Sequence, residues 1–445
     1  MAADDSSASL RGSSIAHHVI PTTNALSQRL KSHAAGHTTS NKTAFSSSSS
    51  SSSNIATITT TTTRSPPQNN ERKLSKRRRA RSFARRFKSF ATKHTWTIPL
   101  VLLLAFGAAY ALDPSETNLV HRFICLSYPI PNPDAATPND ANALPLHYGK
   151  GLWDLAFVAF YTIVLSFTRE FIMQEIMRPL AKSQGIRSKG KQLRFMEQMY
   201  TAVYFGIMGP LGVLVMRGTP AWYFNTRGMY ENFPHRSHTA LFKFYYLFQA
   251  AYWAQQAIVM ILGVEKRRRD FKELVAHHVV TVALVGLSYR FHFTYMGVGV
   301  YLTHDISDFF LALSKSFNYI NSRLVEPFFA ITILGWIYLR NYLNLLILYS
   351  ILTEFRTVGP YELNWETQQY KCLLSNVITF SLLASLQALN LFWLYCLLRN
   401  LYKFVFLSVK KDDRSEEESE AEEVPEKKTP LLNGDVDQVK ANGSS

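Results

Sequence analysis

The chain reads as an all-α integral membrane protein of about eight transmembrane helices. Three observations predict this. Apolar residues gather in repeated blocks of about 17 to 25, the length that crosses a bilayer as a helix. The near-neutral mean hydropathy averages a polar head and tail with a very apolar middle. Lys and Arg are in excess in alternate loops between the blocks, as membrane orientation requires.

Residues 1–71 are Ser/Thr-rich, with eight serines from Ser46 to Ser53, and cannot bury enough apolar surface to offset their ordering entropy. They read as a disordered head. The segment 72–94 carries eleven Lys/Arg up to Lys93 with Phe83, Phe87 and Phe90 interleaved. Lying directly before an apolar run, it reads as an orientation anchor on anionic lipid; a nuclear-localisation or RNA-binding reading is the alternative. No nucleic-acid partner is expected. The net charge of +16 comes largely from this block and from loops beside the apolar runs.

The predicted spans are 96–112, 151–168, 195–216, 239–262, 273–291, 293–316, 325–352 and 373–406. Residues 95–190 then hold two N-terminal helices and their loops, and 191–407 a six-helix domain. Loops 169–194 and 263–272 carry seven and five basic residues, whereas 113–150, 217–238 and 353–372 carry two, three and two. Both termini are therefore expected in the cytosol. Loop 113–150, with Pro129, Pro131, Pro133 and Pro138, is a turn-rich lumenal excursion. The tail 408–445 is acidic, and Ser415 and Ser419 stand before acidic residues as candidate phosphorylation sites. No signal peptide is expected, because the first apolar run starts near Trp96. Three cysteines give neither a disulfide framework nor a thiolate metal motif.

The chemistry concentrates in Phe271–Ile320. Two apolar runs joined by an Arg290-Phe291-His292 turn carry the adjacent histidines His277 and His278 and the carboxylates Asp305 and Asp308. Ionisable side chains in a membrane-length helix are expensive and mark function by default. Asp305 and Asp308 are three apart and share one helix face. At ~1.5 Å per residue, His277 lies about 6 Å inside its span, Asp308 about 12 Å and Asp305 about 16 Å from the same side. The two pairs thus share one half of the bundle, and each is expected to partner the other. A His–Asp centre in a dry pocket suits proton abstraction. The blander reading is a set of satisfied groups joining helices, or a proton relay. A metal site is the lesser reading, because neighbouring histidines point about 100° apart and no further His repetition follows.

Gln255 and Gln256 stand near the same end of the fourth span as candidate pocket lining. Arg340 and Asn341, with Asn344, sit mid-span in the seventh; a mid-membrane Arg demands a carboxylate or carbonyl partner, so structural pairing and substrate contact both stay open. Trp336 and Tyr301 complete the substrate-binding candidates, with Trp336, Tyr338 and Tyr342 also suited to packing or acyl-chain lining. His304 fits no pattern of pairing.

The string HHVVTVALVGLSYRFHFTYMGVGVYLTHDISDFFLALSKSFNYI resembles the signature of the ceramide synthases, the longevity-assurance members of the TLC group. EKRRRDF at 265–271 resembles the basic lead-in, and TEFR at 353–356 with NWETQQYKC at 364–372 resembles the fungal branch. The resemblance covers about residues 150–405, and His304 departs from it. It implies that the last six helices form a TLC-type bundle or barrel around a membrane-embedded active site, in the endoplasmic reticulum, that transfers a fatty acyl group, leaning to very long chains, from acyl-CoA to the amine of a sphingoid base. His277 and His278 would be its catalytic histidines, and Asp305 and Asp308 their acidic partners. It implies no cofactor beyond acyl-CoA as co-substrate. Membrane lipids, a small single-span regulatory subunit, and homo- or heterodimerisation are the further partners implied. A non-catalytic TLC lipid sensor or transport accessory, and a metal-dependent ceramide amidohydrolase, are the competing readings.

Overall fold

The computed structural model describes residues 94–130, 147–265 and 269–407. The predicted head, residues 72–93 of the basic segment, Pro131, Pro133 and Pro138, Lys266 to Arg268, and the tail with Ser415 and Ser419 lie outside the described residues.

A long helix occupies each predicted apolar run. In order they are α1 (Thr97–Leu112), α2 (Trp153–Ser183), α3 (Lys189–Arg217), α4 (Ala240–Ile261), α5 (Phe271–Arg290), α6 (Thr294–Tyr319), α7 (Val325–Thr357) and α8 (Leu373–Leu407). Five of them, α2, α3, α5, α7 and α8, are long and apolar enough to cross a membrane. α1 is apolar but has only 16 residues. α4 and α6 are long enough, yet their sequences are diluted by Lys243, Gln249, Gln255 and Gln256 on one and His304, Asp305 and Asp308 on the other. Hydropathy alone thus passes over these two helices, whereas α5 and α7, which carry His277, His278 and Arg340, satisfy it.

One predicted loop differs from expectation. The predicted loop 169–194 is mostly helix, because α2 continues to Ser183 through a π-helical turn at Ile172–Met177. Its polar end is held rather than solvated: buried Arg169 pairs with Glu170 at 2.5 Å and Glu265 at 2.7 Å. α7 likewise contains a π-helical stretch, Trp336–Leu343, flanked by α-helix. Such insertions shift the inward face of a helix and recur at functional sites.

Successive helices alternate in direction, which gathers the loops at two ends. At one end, strands β1 (Pro129–Ile130), β2 (His147–Tyr148) and β3 (His238–Thr239) form a small antiparallel sheet, with Tyr148 opposite both Pro129 and His238. We call this the strand end. The other, the basic-loop end, carries the α4–α5 connection. There α4 closes on Gly263, whose φ of +62° lets its N–H reach Met260 O at 3.1 Å and that of Val264 reach Val259 O at 3.1 Å.

α3 packs along α6 and against α4, and Gly212 makes room for both: a Cβ there would lie 2.5 Å from the Tyr245 hydroxyl and 3.1 Å from the Leu302 side chain. One apolar core forms between α3, α4 and α6 from Tyr204, Phe205, Met208, Tyr252 and Leu302. A second, nearer the strand end, gathers Met229, Tyr230, Phe293, Ile347 and Phe355. Between these cores runs open space.

Candidate active site

α5 carries His277 and His278 into the interior, where both are buried. Two tryptophans bracket His277 edge-on: Trp253 of α4 at 5.6 Å between ring centroids and Trp393 of α8 at 5.4 Å. The histidines differ in what their nitrogens do. His278 Nδ1 lies 2.9 Å from Leu274 O, one turn back on the same helix. A carbonyl only accepts, so this nitrogen carries the proton and Nε2 keeps its lone pair. His277 Nδ1 has no hydrogen-bond partner.

The carboxylates separate. Asp308 takes an ion pair with Arg340 Nη2 at 2.6 Å. Arg340, fixed by the π-helical stretch of α7, also donates from Nε to Ser307 Oγ at 2.6 Å and from Nη2 to His304 O at 3.3 Å. Its guanidinium lies 4.1 Å from the Trp336 ring centroid. Asp305, fully buried, turns to α4 instead: Oδ2 accepts from Gln249 Nε2 and, at 3.3 Å, from Tyr245 Oη. Gln249 Oε1 in turn accepts from Tyr204 Oη at 2.9 Å. No hydrogen bond or ion pair joins either carboxylate to His277 or His278 among the described residues. The expected mutual pairing is thus replaced by partners on α4 and α7. Residues three apart on a helix share a face yet diverge by about 60°, enough to meet different neighbours.

Two cavities meet at His277. The first is almost wholly apolar and follows α5 past Thr281, Leu284 and Ser288 to Phe291. From His277 to Phe291 this is about 21 Å of helix. Leu363, Trp365 and Tyr370 of the α7–α8 connection line its strand end. The second is more polar and lies toward the basic-loop end, where Gln198, Gln256, Asp270, His278, Asp308 and Lys315 line it beside apolar residues such as Leu274 and Leu397. His277 and Trp253 line both. In the apolar cavity the side chains of Thr281 and Tyr301 and the indole N–H of Trp253 are buried without partners. An unsatisfied buried polar group costs about 1–3 kcal/mol, so each is a place where a ligand oxygen is welcome.

The other predicted residues divide. Tyr301 faces the apolar cavity, and Gln256, Trp336 and Arg340 face the polar one. Gln255 lines neither and accepts from Gln256 Nε2 at 3.0 Å. Asn341 belongs to a helix-joining ladder, accepting from Gln387 Nε2 at 2.9 Å while Gln387 Oε1 accepts from Asn344 at 2.9 Å. His304, unpaired by pattern, donates to Val300 O at 2.8 Å and accepts from Asn390 Nδ2 at 3.3 Å. Sequence reasoning missed Gln249, Tyr204, Trp253, Trp393 and Asn390. A mid-span Gln or Asn was the available signal; the tryptophans gave none, since a Trp in an apolar run reads first as packing. Among the described residues no group of three or more His, Cys, Asp and Glu is placed to hold a metal ion.

The site falls in a recognised domain: residues 194–399 match the TLC domain. The sphingosine N-acyltransferase-like protein FUM17 of Gibberella moniliformis is 54% identical over 342 residues, 76% of this chain and 87% of that protein. The sphingosine N-acyltransferase lac1 of Schizosaccharomyces pombe is 43% identical over 364 residues, 81% of this chain and 91% of that protein. The ceramide synthase LAG1 of Saccharomyces cerevisiae is 44% identical over 336 residues, 75% and 79% of the two chains. This chain belongs to the TLC-domain proteins and, within them, to the fungal longevity-assurance type of ceramide synthase.

Proposed function

We propose that the protein is a sphingoid-base N-acyltransferase that moves a fatty acyl group from acyl-CoA to the amine of sphinganine or a related base. The observation that carries this reading is the junction: His277 is shared by an almost wholly apolar cavity that runs along α5 and a more polar one toward the basic-loop end. A fatty thioester has those two halves, and its reactive carbonyl is where they join.

An amine attacks only as its neutral form, so a base must hold its proton while the carbonyl is kept near. His278, with its Nδ1–H committed to Leu274 and Nε2 open, is arranged as that acceptor. His277, with an uncommitted ring, lies at the carbonyl and serves as second base or as nucleophile. Asp308 and Arg340 form a paired charge in the polar wall, and Asp305 fixes α6 against α4. In either route the amide N–C bond forms, the C–S bond breaks, and the amine proton passes through imidazole to the leaving CoA thiolate. No cofactor beyond acyl-CoA enters this scheme; activity that survives a strong chelator is the expected outcome.

The reading places all eight helices across the endoplasmic reticulum membrane, the basic-loop end and both termini in the cytosol, and the polar cavity open toward cytosolic CoA. An acceptor sequon inserted at 184–188 stays unglycosylated under this topology, and one in loop 353–372 is modified; the reverse pattern overturns it. A very-long-chain preference, a small single-span subunit and pairing with a second copy complete the proposal. Lipid extraction after incubating the purified protein with sphinganine and acyl-CoA of graded length tests the function, and absence of any N-acyl product rejects it.

A further inference from the structure

We infer that Thr281 Oγ1–H and Trp253 Nε1–H form the donor pair that holds the thioester carbonyl oxygen of acyl-CoA beside His277. This rests on the acyltransferase reading and adds to it two residues that touch the reacting group.

Thr281 stands one turn beyond His277 on α5 and so shares its face. A buried helical Thr or Ser ordinarily returns its hydroxyl to a carbonyl three or four residues back. Thr162, Thr168, Ser316 and Thr332 do so here at 2.7 to 2.8 Å. Thr281 does not; its hydroxyl is buried with no partner and lines the apolar cavity. Trp253 presents the same anomaly from the opposite helix. Its ring lies 5.6 Å from that of His277 and it borders both cavities, yet its N–H has no acceptor. The other two tryptophans at the site are satisfied: Trp336 donates to Asn390 O at 3.2 Å and Trp393 to Asp270 Oδ2 at 3.2 Å. Indole N–H is a donor only, so what belongs opposite it is an acceptor. In a chain-shaped apolar cavity ending at a histidine, the acceptor that acyl-CoA brings is its carbonyl oxygen. When the nucleophile adds to the carbonyl carbon, the π electrons move to that oxygen, and fixed donors stabilise the charge until the C–S bond breaks.

The test compares kcat and KM for acyl-CoA in Thr281→Val, Thr281→Ser and Trp253→Phe. Losing one such donor lowers kcat by about 10²-fold. Thr281→Val and Trp253→Phe are expected to fall by that order with KM little changed, while Thr281→Ser, which keeps the hydroxyl, stays within a few-fold of the parent. Affinity for an S-alkyl-CoA thioether, which lacks the carbonyl oxygen, is expected to be the same in Thr281→Val as in the parent. Near-parental kcat in Thr281→Val, or equal losses in the Val and Ser variants, overturns the inference. The parent enzyme run alongside separates the two levels: if it forms no N-acyl product, the acyltransferase reading fails; if it does and Thr281→Val matches it, only the donor pair fails.

Discussion

α4 and α5 bury polar side chains at both ends, and the two ends are built on opposite principles. At the strand end, Lys243 of α4 is wholly buried and pairs with Asp154 of α2 at 2.7 Å, while its ammonium also donates to Ser127 O at 2.8 Å and Gly149 O at 2.7 Å. Tyr289 of α5 donates to the other Asp154 oxygen at 2.7 Å. His235 Nε2 donates to Glu231 O at 2.8 Å, and its Nδ1 lies 3.1 Å from His292 O. His292 Nε2 and Ser127 Oγ are among the exceptions. In the half toward the basic loop, His277 Nδ1, Thr281 Oγ1 and Trp253 Nε1 all lack partners and face open space. The first arrangement consumes its hydrogen-bonding capacity to tie the β1–β2 segment onto the bundle. The second holds its capacity in reserve. Buried charge alone therefore does not identify a site; buried capacity without a partner, beside a cavity, does.

The sharpest way to break this comparison is to truncate one residue at each end. His277→Ala is expected to reduce product formation by about 10²- to 10⁴-fold while the protein inserts and purifies normally. Lys243→Met is expected to act the other way. It leaves Asp154 buried and unpaired, costing about 3–5 kcal/mol of stability, and whatever protein stays folded keeps its turnover. Thermal unfolding in detergent read beside specific activity distinguishes the two. Lys243→Met protein with parental stability but no activity would merge the two classes.

The Asp308–Arg340 pair lies between these extremes, since it borders the polar cavity and is also a helix joint. A double-mutant cycle with Asp308→Asn and Arg340→Met should show a coupling of about 0.5–3 kcal/mol in stability. Zero coupling would mean that the pair contributes nothing to the α6–α7 joint.

A smaller effect concerns pH. Burial pushes His292 down to about 3, with the Lys150 ammonium adding to it, and His235 down to about 4. Both stay neutral when folded, whereas in the unfolded chain each takes a proton near pH 6.5. The unfolded state then binds more protons, so stability falls as pH drops from about 6.5 toward about 4. Replacing His235 with Gln should flatten that slope. An unchanged slope would place the acid sensitivity elsewhere.

Much of this was legible in the sequence. The apolar runs locate the eight long helices, and the His-His and Asp-x-x-Asp spacings flag His277, His278 and Asp308, which line one cavity. What local pattern could not supply was who faces whom. Asp305 and Asp308 look equivalent at a spacing of three, but one meets Gln249 and the other Arg340 because α4 and α7 pack on different sides of α6. The contribution of α8, through Asn390 and Trp393, depends on contacts across more than 50 residues of chain. Nor does any sequence rule place the π-helical stretch that carries Arg340.

The central claim is that the junction of the two cavities at His277 is where acyl transfer occurs. Its most direct test is product formation from sphinganine and a fatty acyl-CoA by the purified parent protein and by the His277→Ala/His278→Ala double variant, both confirmed folded by thermal unfolding. The account predicts N-acyl sphinganine from the parent and none above background from the double variant. Parental turnover by a folded double variant would contradict it.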